Sequence, residues 1–213
     1  MNEYLLELRL PAIRRWFGEK ARRAEAETLS HERYLLELAE LECQERRQNR
    51  IARLLQESKL PMEKTLENFD LKRLPQKAAR QVGQELIRAG RRVAFTTCVR
   101  LVQDLLLAKK ELRLNRAIRK LAYYEALVID DLGYVQQSRE EMEVLFTLLA
   151  ERYERGSVLI SSNLAFSKWE AIFKDPMTTA AAIDRLVHHS VILELNIPSY
   201  RMEQAKKKKA DEA

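Results

Sequence analysis

Glycine is scarce in this sequence, and none of the glycines stands in a phosphate-binding loop. Such a loop needs several glycines and a Gly-Lys-Ser/Thr step, because backbone amides and the lysine hold the phosphates. The five glycines are followed by Glu, Gln, Arg, Tyr and Ser, respectively; they are Gly18, Gly83, Gly90, Gly133 and Gly156. A phosphate-binding loop of this type is therefore absent from the sequence.

Cysteine, histidine and long apolar runs are also sparse, and each scarcity argues against a class of protein. Cys43 and Cys98 lie far apart and outside any Cys-x-x-Cys spacing, which is typical of a reduced, cytoplasmic compartment. The three histidines form no ligand cluster with them, so we do not expect a zinc site. No run is long enough to span a membrane, and charges interrupt the first ten residues, so we expect neither a membrane partner nor a secretory signal.

The charge balance favours a polyanionic partner. The chain has 38 Lys and Arg against 32 Asp and Glu, which gives a net charge of +6. An excess of positive charge attracts nucleic acid, although here the two signs are interleaved. With 213 residues and 46% hydrophobic content, the chain has enough apolar material for one core and a smaller module.

The residue pattern changes along the chain from helical to mixed α/β. Up to about residue 60 apolar residues recur at helical spacing, whereas after Gly90 short β-rich runs alternate with helical stretches, as in a parallel sheet with crossover helices. The expected strands are 92–98, 126–131, 157–162 and 190–195, and the expected helices between them are 99–121, 138–155 and 178–189. We predict a helical N-terminal region (1–60), a connector with a short helix (61–82), an α/β domain (83–205) and a basic tail (206–213).

Two adjacent carboxylates end the second expected strand. Asp130 and Asp131 follow an apolar β-branched run, at the edge of the sheet where open α/β folds place ligand chemistry. In a functional interpretation Asp130 holds magnesium through water and Asp131 polarises an attacking water. The alternative is an ordinary strand followed by an acidic turn. The next strand ends in Ser161, Ser162 and Asn163, short polar groups suited to a γ-phosphate or its attacking water.

Several segments, in this order and spacing, resemble the IstB-like helper proteins of insertion-sequence transposition, relatives of the DnaC helicase loaders within the AAA+ ATPases. The matching segments are KTLENFD (64–70), LVIDDLGY (127–134), SREEMEVLFTLLAERYERGSVLISSNLAFSKW (138–169), DPMTTAAAIDRLVHHSVILEL (175–195) and SYRMEQAK (199–206). The resemblance covers nearly the whole chain. It implies a parallel sheet of the AAA+ P-loop type that lacks its first strand, preceded by a helical region.

The resemblance also implies roles for five residues, with ATP and Mg²⁺ as cofactors. Asp130 and Asp131 form the Walker B pair, with Asp130 on the magnesium and Asp131 in place of the more common Glu. Asn163 is the sensor on the neighbouring strand. Arg185 is the arginine finger for a neighbouring subunit's nucleotide, and Arg201 is the second sensor, in contact with the nucleotide.

The residues by themselves leave other interpretations open for the two arginines. Without the family pattern, the better interpretation of Arg185 is a surface helix on which it pairs with Asp184 or a nearby acid. Arg201 precedes the basic run 206–209 and is compatible with a solvated tail.

This sequence departs from the family pattern because one segment of that pattern is absent. The resemblance implies a first strand, a glycine-rich loop with its lysine and a helix, yet Gln81 and Val82 run straight into Gly83. Each lost charge-assisted hydrogen bond is worth about 1.5–3 kcal/mol, and three losses weaken ATP binding by roughly a thousandfold to a millionfold. We therefore predict little or no ATPase activity. Unpaired strand edges further predict reduced stability or aggregation.

Two sets of basic residues each share a helix face and are candidates for DNA contact. The first set is Arg46, Arg50 and Arg53, and the second is Lys109, Arg113, Arg116 and Lys120. Such faces neutralise phosphates without reading bases. The resemblance implies a DNA-contacting element near the second set. The alternative is a solvated face paired with acids, of which Glu42, Glu45 and Glu57 lie near the first set and Glu111 near the second.

These observations favour a transposition helper that binds double-stranded DNA and recruits a transposase through its helical N-terminal region. Such a helper assembles into a homo-oligomer when nucleotide is bound. A non-enzymatic DNA-binding adaptor, which keeps the sheet only as a scaffold, is the alternative from another class. A DnaC-like helicase loader for DNA replication is a third hypothesis within the same family.

Overall fold

The computed structural model describes residues 1–60, 78–133, 138–164 and 190–193. They belong to two compact units, Met1–Leu54 and Leu55–Ala213. Within the described ranges, no helix is long and apolar enough to cross a bilayer.

The first unit is helical, which confirms the helical N-terminal region. It consists of α1 (Asn2–Glu7), α2 (Pro11–Ala26) and most of α3 (His31–Ser58), whose last residues belong to the second unit. Pro11 occupies the first position of α2, where its missing N–H is not needed. Leu5, Ala12 and Leu38 are buried.

The second unit is α/β, and its described residues form a three-stranded parallel sheet in the order β1-β2-β3. Its elements are α4 (Ala78–Arg88), β1 (Val93–Thr97), α5 (Cys98–Lys110), α6 (Leu114–Ala122), β2 (Ala126–Leu132), α7 (Arg139–Arg152) and β3 (Ser157–Ser162). Thr97 at the end of β1 lies beside Asp130, and Ile129 lies beside Ile160 of β3. The carboxyl ends of the three strands therefore meet at one edge.

Side chains alternate along β2, and described helices pack on both faces of the sheet. Leu127 and Ile129 are fully buried in the core that α5 and α7 form on one face. Val128 and Asp130 point to the opposite face, where α4 packs. A Cβ added at Gly83 of α4 would lie 3.4 Å from Val128 Cγ2. The helix α4 therefore lies close to β2 at Gly83.

The structure corrects one expected strand and one expected helix. Residues 190–193, part of the expected strand 190–195, are not in a strand, and their side chains are exposed. An apolar run becomes a strand only where a neighbouring strand offers backbone partners. The expected helix 99–121 is two helices, α5 and α6, because Leu112 adopts a positive φ of 55° between them. The expected helix 178–189 and residues 194–195 lie outside the described residues.

Candidate nucleotide site at the carboxyl edge of the sheet

Asp130 is buried at the end of β2, and both of its carboxylate oxygens are engaged. The residue is only 2% exposed. Its Oδ2 accepts hydrogen bonds from Nε and Nη2 of Arg80, at 3.2 and 2.6 Å. Its Oδ1 accepts a hydrogen bond from the hydroxyl of Ser161. The carboxylate is therefore held by one cation and one hydroxyl donor.

Arg80 is a site residue that the sequence analysis did not single out. It lies in the first turn of α4, and its guanidinium carbon is 5.3 Å from the ring centroid of Phe95 in β1. This distance is typical of a cation–π contact. Arg80, Gly83, Gln84 and Ile87 follow helical spacing, and the last three are buried in the structure, although only Ile87 marks this face as apolar in the sequence. Arg80 therefore lies on the buried side of α4.

Ser161 connects the two aspartates. Its hydroxyl donates to Asp130 and accepts a hydrogen bond of 3.1 Å from the backbone N–H of Asp131. Ser161 is one of the polar residues expected at the end of this strand, whereas the resemblance implies that Asn163 is the sensor. Asn163 follows β3 and is exposed.

The adjacent aspartates lie in different environments because β2 is irregular at its end. The register with β3 shifts between Ile129 and Leu132, which leaves an extra residue in β2. Asp131 adopts a φ of 61° there and is exposed, whereas Leu132 returns to the core. Aspartate tolerates this left-handed conformation better than most residues.

The expected site is thus brought together only in part within the described residues. Asp130, Asp131 and Ser161 meet at the carboxyl edge, and Asn163 lies two residues after Ser161. Arg185 and Arg201, the expected arginine finger and second sensor, lie outside the described residues.

The donors around Asp130 do not fit a directly coordinated Mg²⁺ ion. Mg²⁺ binds through carboxylate, phosphate and water oxygens. Here a guanidinium already lies at hydrogen-bond distance from Asp130 Oδ2, and a hydroxyl donates to Oδ1. Within the part of the chain that the structure describes, no group of three His, Cys, Asp or Glu residues could hold a metal ion.

The second basic set is divided between paired and exposed residues. Lys109 Nζ lies 2.9 Å from Glu143 Oε2, and Arg113 pairs with Glu111. Arg116 and Lys120 are exposed on α6 together with Arg119, and no ion pair involves these three within the described ranges. Since α6 buries Ile118 on its other side, its exposed face is basic.

One residue of the first basic set, Arg46, makes hydrogen bonds inside the helical unit. Arg46 Nε donates to Oε1 of the buried Glu42 at 2.8 Å, and its Nη2 donates to the carbonyl oxygen of Arg9. Arg50 and Arg53 are exposed on α3. Arg46 is therefore committed to contacts within the helical unit.

Comparison with known proteins assigns the chain to a family. The model of the IstB-like ATP binding protein family matches residues 4–84 and 77–209. The chain belongs to the IstB-like family. The resemblance deduced from the sequence segments is thereby confirmed.

Three curated relatives are insertion-sequence proteins, and each alignment covers most of both chains. The chain is 38% identical to the putative insertion sequence ATP-binding protein y4iQ/y4nD/y4sD of Sinorhizobium fredii, over 94% of this chain and 78% of the relative. It is 31% identical to the IS21 putative ATP-binding protein of Pseudomonas aeruginosa, over 84% and 80%. It is 28% identical to the IS5376 putative ATP-binding protein of Geobacillus stearothermophilus, over 96% and 94%.

A solved structure confirms the fold class of this IstB-like chain. AMPPCP-bound DnaA from Aquifex aeolicus superposes with a TM-score of 0.52 at 14% sequence identity. The match covers 73% of this chain and 57% of the DnaA chain. At this identity the likeness concerns the fold alone, and that fold is α/β, as expected.

Proposed function

We propose that this chain is an IstB-like transposition helper that contacts double-stranded DNA and works without a nucleotide of its own. This proposal combines two hypotheses from the sequence, the transposition helper and the non-enzymatic DNA-binding adaptor. The observation that carries it is the state of Asp130, whose carboxylate is paired with Arg80 and Ser161 in a chain that has no phosphate-binding loop. The curated relatives are named as insertion-sequence proteins, which favours transposition over helicase loading.

The alignment lengths support a segment missing from this chain. The alignment with the S. fredii relative is 234 positions long, yet 94% of 213 residues is about 200, which leaves about 34 positions without a residue from this chain. The two matched segments of the family model overlap at residues 77–84, around the step from Val82 to Gly83. A strand, a glycine-rich loop and part of a helix fit within such a length.

The exposed face of α6 supports contact with DNA. Arg116, Arg119 and Lys120 lie three and four residues apart, so their side chains share one face of the helix. Their charges suit phosphates, and no ion pair ties them to an acid within the described residues. We infer binding that depends on the DNA backbone rather than on base sequence. In this proposal the helical N-terminal region recruits a transposase.

A DNA-binding titration tests this proposal. The chain is titrated against a labelled duplex at several salt concentrations, and the same is done with Arg116→Gln/Lys120→Gln. We expect affinity to fall with salt and the variant to bind more weakly with a smaller salt slope, because each phosphate contact releases counterions.

The matched control is Arg14→Gln/Arg22→Gln, which removes the same charge from exposed positions of α2. We expect it to bind nearly as well as the unaltered chain. An affinity that does not change with salt, or an equal loss in both variants, contradicts the proposed DNA face.

A further inference from the structure

We propose that the guanidinium of Arg80 is a built-in counter-ion that permanently takes the place of a divalent cation at Asp130. The inference rests on the proposed function, because it explains how a family member keeps its Walker B carboxylate without nucleotide. It assigns Arg80 a positioning role: Arg80 fixes Asp130 and, through Ser161, the carboxyl edge of the sheet.

The hydrogen bonds leave little room for a metal ion on Asp130. A carboxylate has about four acceptor directions. Three of them are used by Nε and Nη2 of Arg80 and by the hydroxyl of Ser161. Ser161 is in turn oriented by the N–H of Asp131. One acceptor direction remains, so a metal ion would have to share the carboxylate with these three donors.

The charge of Asp130 is already balanced. Asp130 is almost fully buried, and a buried carboxylate is costly unless a positive group pairs with it. The Arg80 guanidinium supplies one positive charge and also lies over the ring of Phe95. The pair is neutral overall, so it exerts little net attraction on a second cation.

The continuity of α4 brings Arg80 to this position. The helix runs unbroken from Ala78 to Arg88, across the step from Val82 to Gly83. Gly83 lies against Leu60 and Val128, so the helix is held close to β2. One turn before Gly83, the helix presents Arg80 to the end of β2. The helix that crosses the step from Val82 to Gly83, where the phosphate-binding loop is missing, therefore carries the replacement charge on Arg80.

A double-mutant cycle measures the coupling between Arg80 and Asp130. Arg80→Met keeps the apolar stem and removes the charge, and Asp130→Asn removes the partner charge. We expect each single change to lower the equilibrium constant for folding at least tenfold, and the double variant to recover at least tenfold of the summed loss. Tenfold corresponds to about 1.4 kcal/mol.

The matched control is the pair Arg88 and Glu85, three residues apart on the same helix and about half exposed, with 2.7 Å between Nη1 and Oε1. We expect Arg88→Met and Glu85→Gln to couple less than threefold, because exposed ion pairs contribute little. If Arg80→Met does not fold, Arg80→Lys replaces it in the cycle. Lysine keeps the positive charge but lacks the planar pair of N–H donors of arginine, so we expect a partial loss of the coupling.

A metal titration completes the test. We expect Mn²⁺ to leave the melting temperature of the unaltered chain unchanged and to raise that of Arg80→Met, unless Asp130→Asn is also present. Coupling no larger than in the control pair, or an equal response of the unaltered chain and Arg80→Met to Mn²⁺, overturns the proposal. Neither measurement involves DNA or ATP, so a failure of the proposed function is recognised separately in the DNA titration.

Discussion

Arg152 shows how a single buried side chain joins three elements. The residue is 3% exposed, and burial lowers the pKa of its guanidinium. Its Nη1 donates to the carbonyl oxygen of Leu121 at 3.0 Å, and its Nη2 donates to those of Tyr124 and Ser157 at 3.1 and 3.0 Å. These carbonyls lie in α6, just before β2 and at the start of β3. Arginine suits this position because it stays charged and offers five donors.

Loss of Arg152 or of the space beside it is expected to destabilise the α/β unit. We expect Arg152→Met to lower the free energy of unfolding by about 3 kcal/mol, since several carbonyls lose their donor. A Cβ at Gly156 would lie 2.6 Å from Arg152 Nη2, so we expect Gly156→Ala to cost about 1–3 kcal/mol. Urea denaturation measures both.

The control for this prediction is Gly18→Ala in α2, where a Cβ meets nothing within 4 Å. We expect it to stabilise the chain by about 0.5–1 kcal/mol, because alanine favours helix. If Gly156→Ala costs as much in the Arg152→Met background as in the unaltered chain, the proposed clash is wrong.

At the scale of elements, the start of α2 is capped by another helix. No side chain of its own caps α2. Glu42 of α3 accepts hydrogen bonds from the N–H groups of Ala12 and Ile13 at 2.9 and 3.1 Å. Burial acts to raise the pKa of Glu42, but the hydrogen bonds from Arg46, Ile13 and Ala12 outweigh it, so the pKa lies below the ordinary 4.5.

This capping predicts a pH dependence of the helical unit. Because the pKa of Glu42 is lower in the folded state, its stabilisation is present above about pH 4.5 and is lost as the pH falls through the folded pKa. We expect Glu42→Gln to cost about 1–3 kcal/mol at neutral pH and to flatten the acid limb of the stability curve. Thermal melts at a series of pH values measure this effect, and Glu40→Gln, at an exposed position of α3, is the control. If stability falls in parallel at acid pH in the unaltered chain, Glu42→Gln and Glu40→Gln, the prediction is contradicted.

Local patterns predicted the elements better than the contacts between them. The runs 126–131 and 157–162 gave β2 and β3 almost to the residue, because continuous apolar β-branched runs are typical of buried parallel strands. The break after α5 was missed because neither glycine nor proline marks it. Arg80 and Asp130 are 50 residues apart, and Glu42 and Ala12 are 30 apart. Contacts between such distant residues depend on which helix faces meet, which no local pattern gives.

At the scale of the whole molecule, the outer strands of the sheet bear on how the chains associate. In the part of the chain that the structure describes, β1 and β3 form the two outer strands. Unpaired strand edges promote association between chains. We expect the purified chain to self-associate as its concentration rises, to the same extent with and without Mg-ATP. Light scattering after gel filtration measures this. A monodisperse monomer with a cooperative melt, or assembly only with nucleotide, would count against it.

The proposed function requires that this chain does not bind Mg-ATP at the carboxyl edge of its sheet. Isothermal titration of the purified chain with Mg-ATP tests it most directly, alongside Asp130→Asn. We predict no saturable binding below millimolar concentrations for either protein, because the phosphate loop is absent and Asp130 is paired with Arg80. Micromolar affinity in the unaltered chain that Asp130→Asn abolishes would contradict the claim.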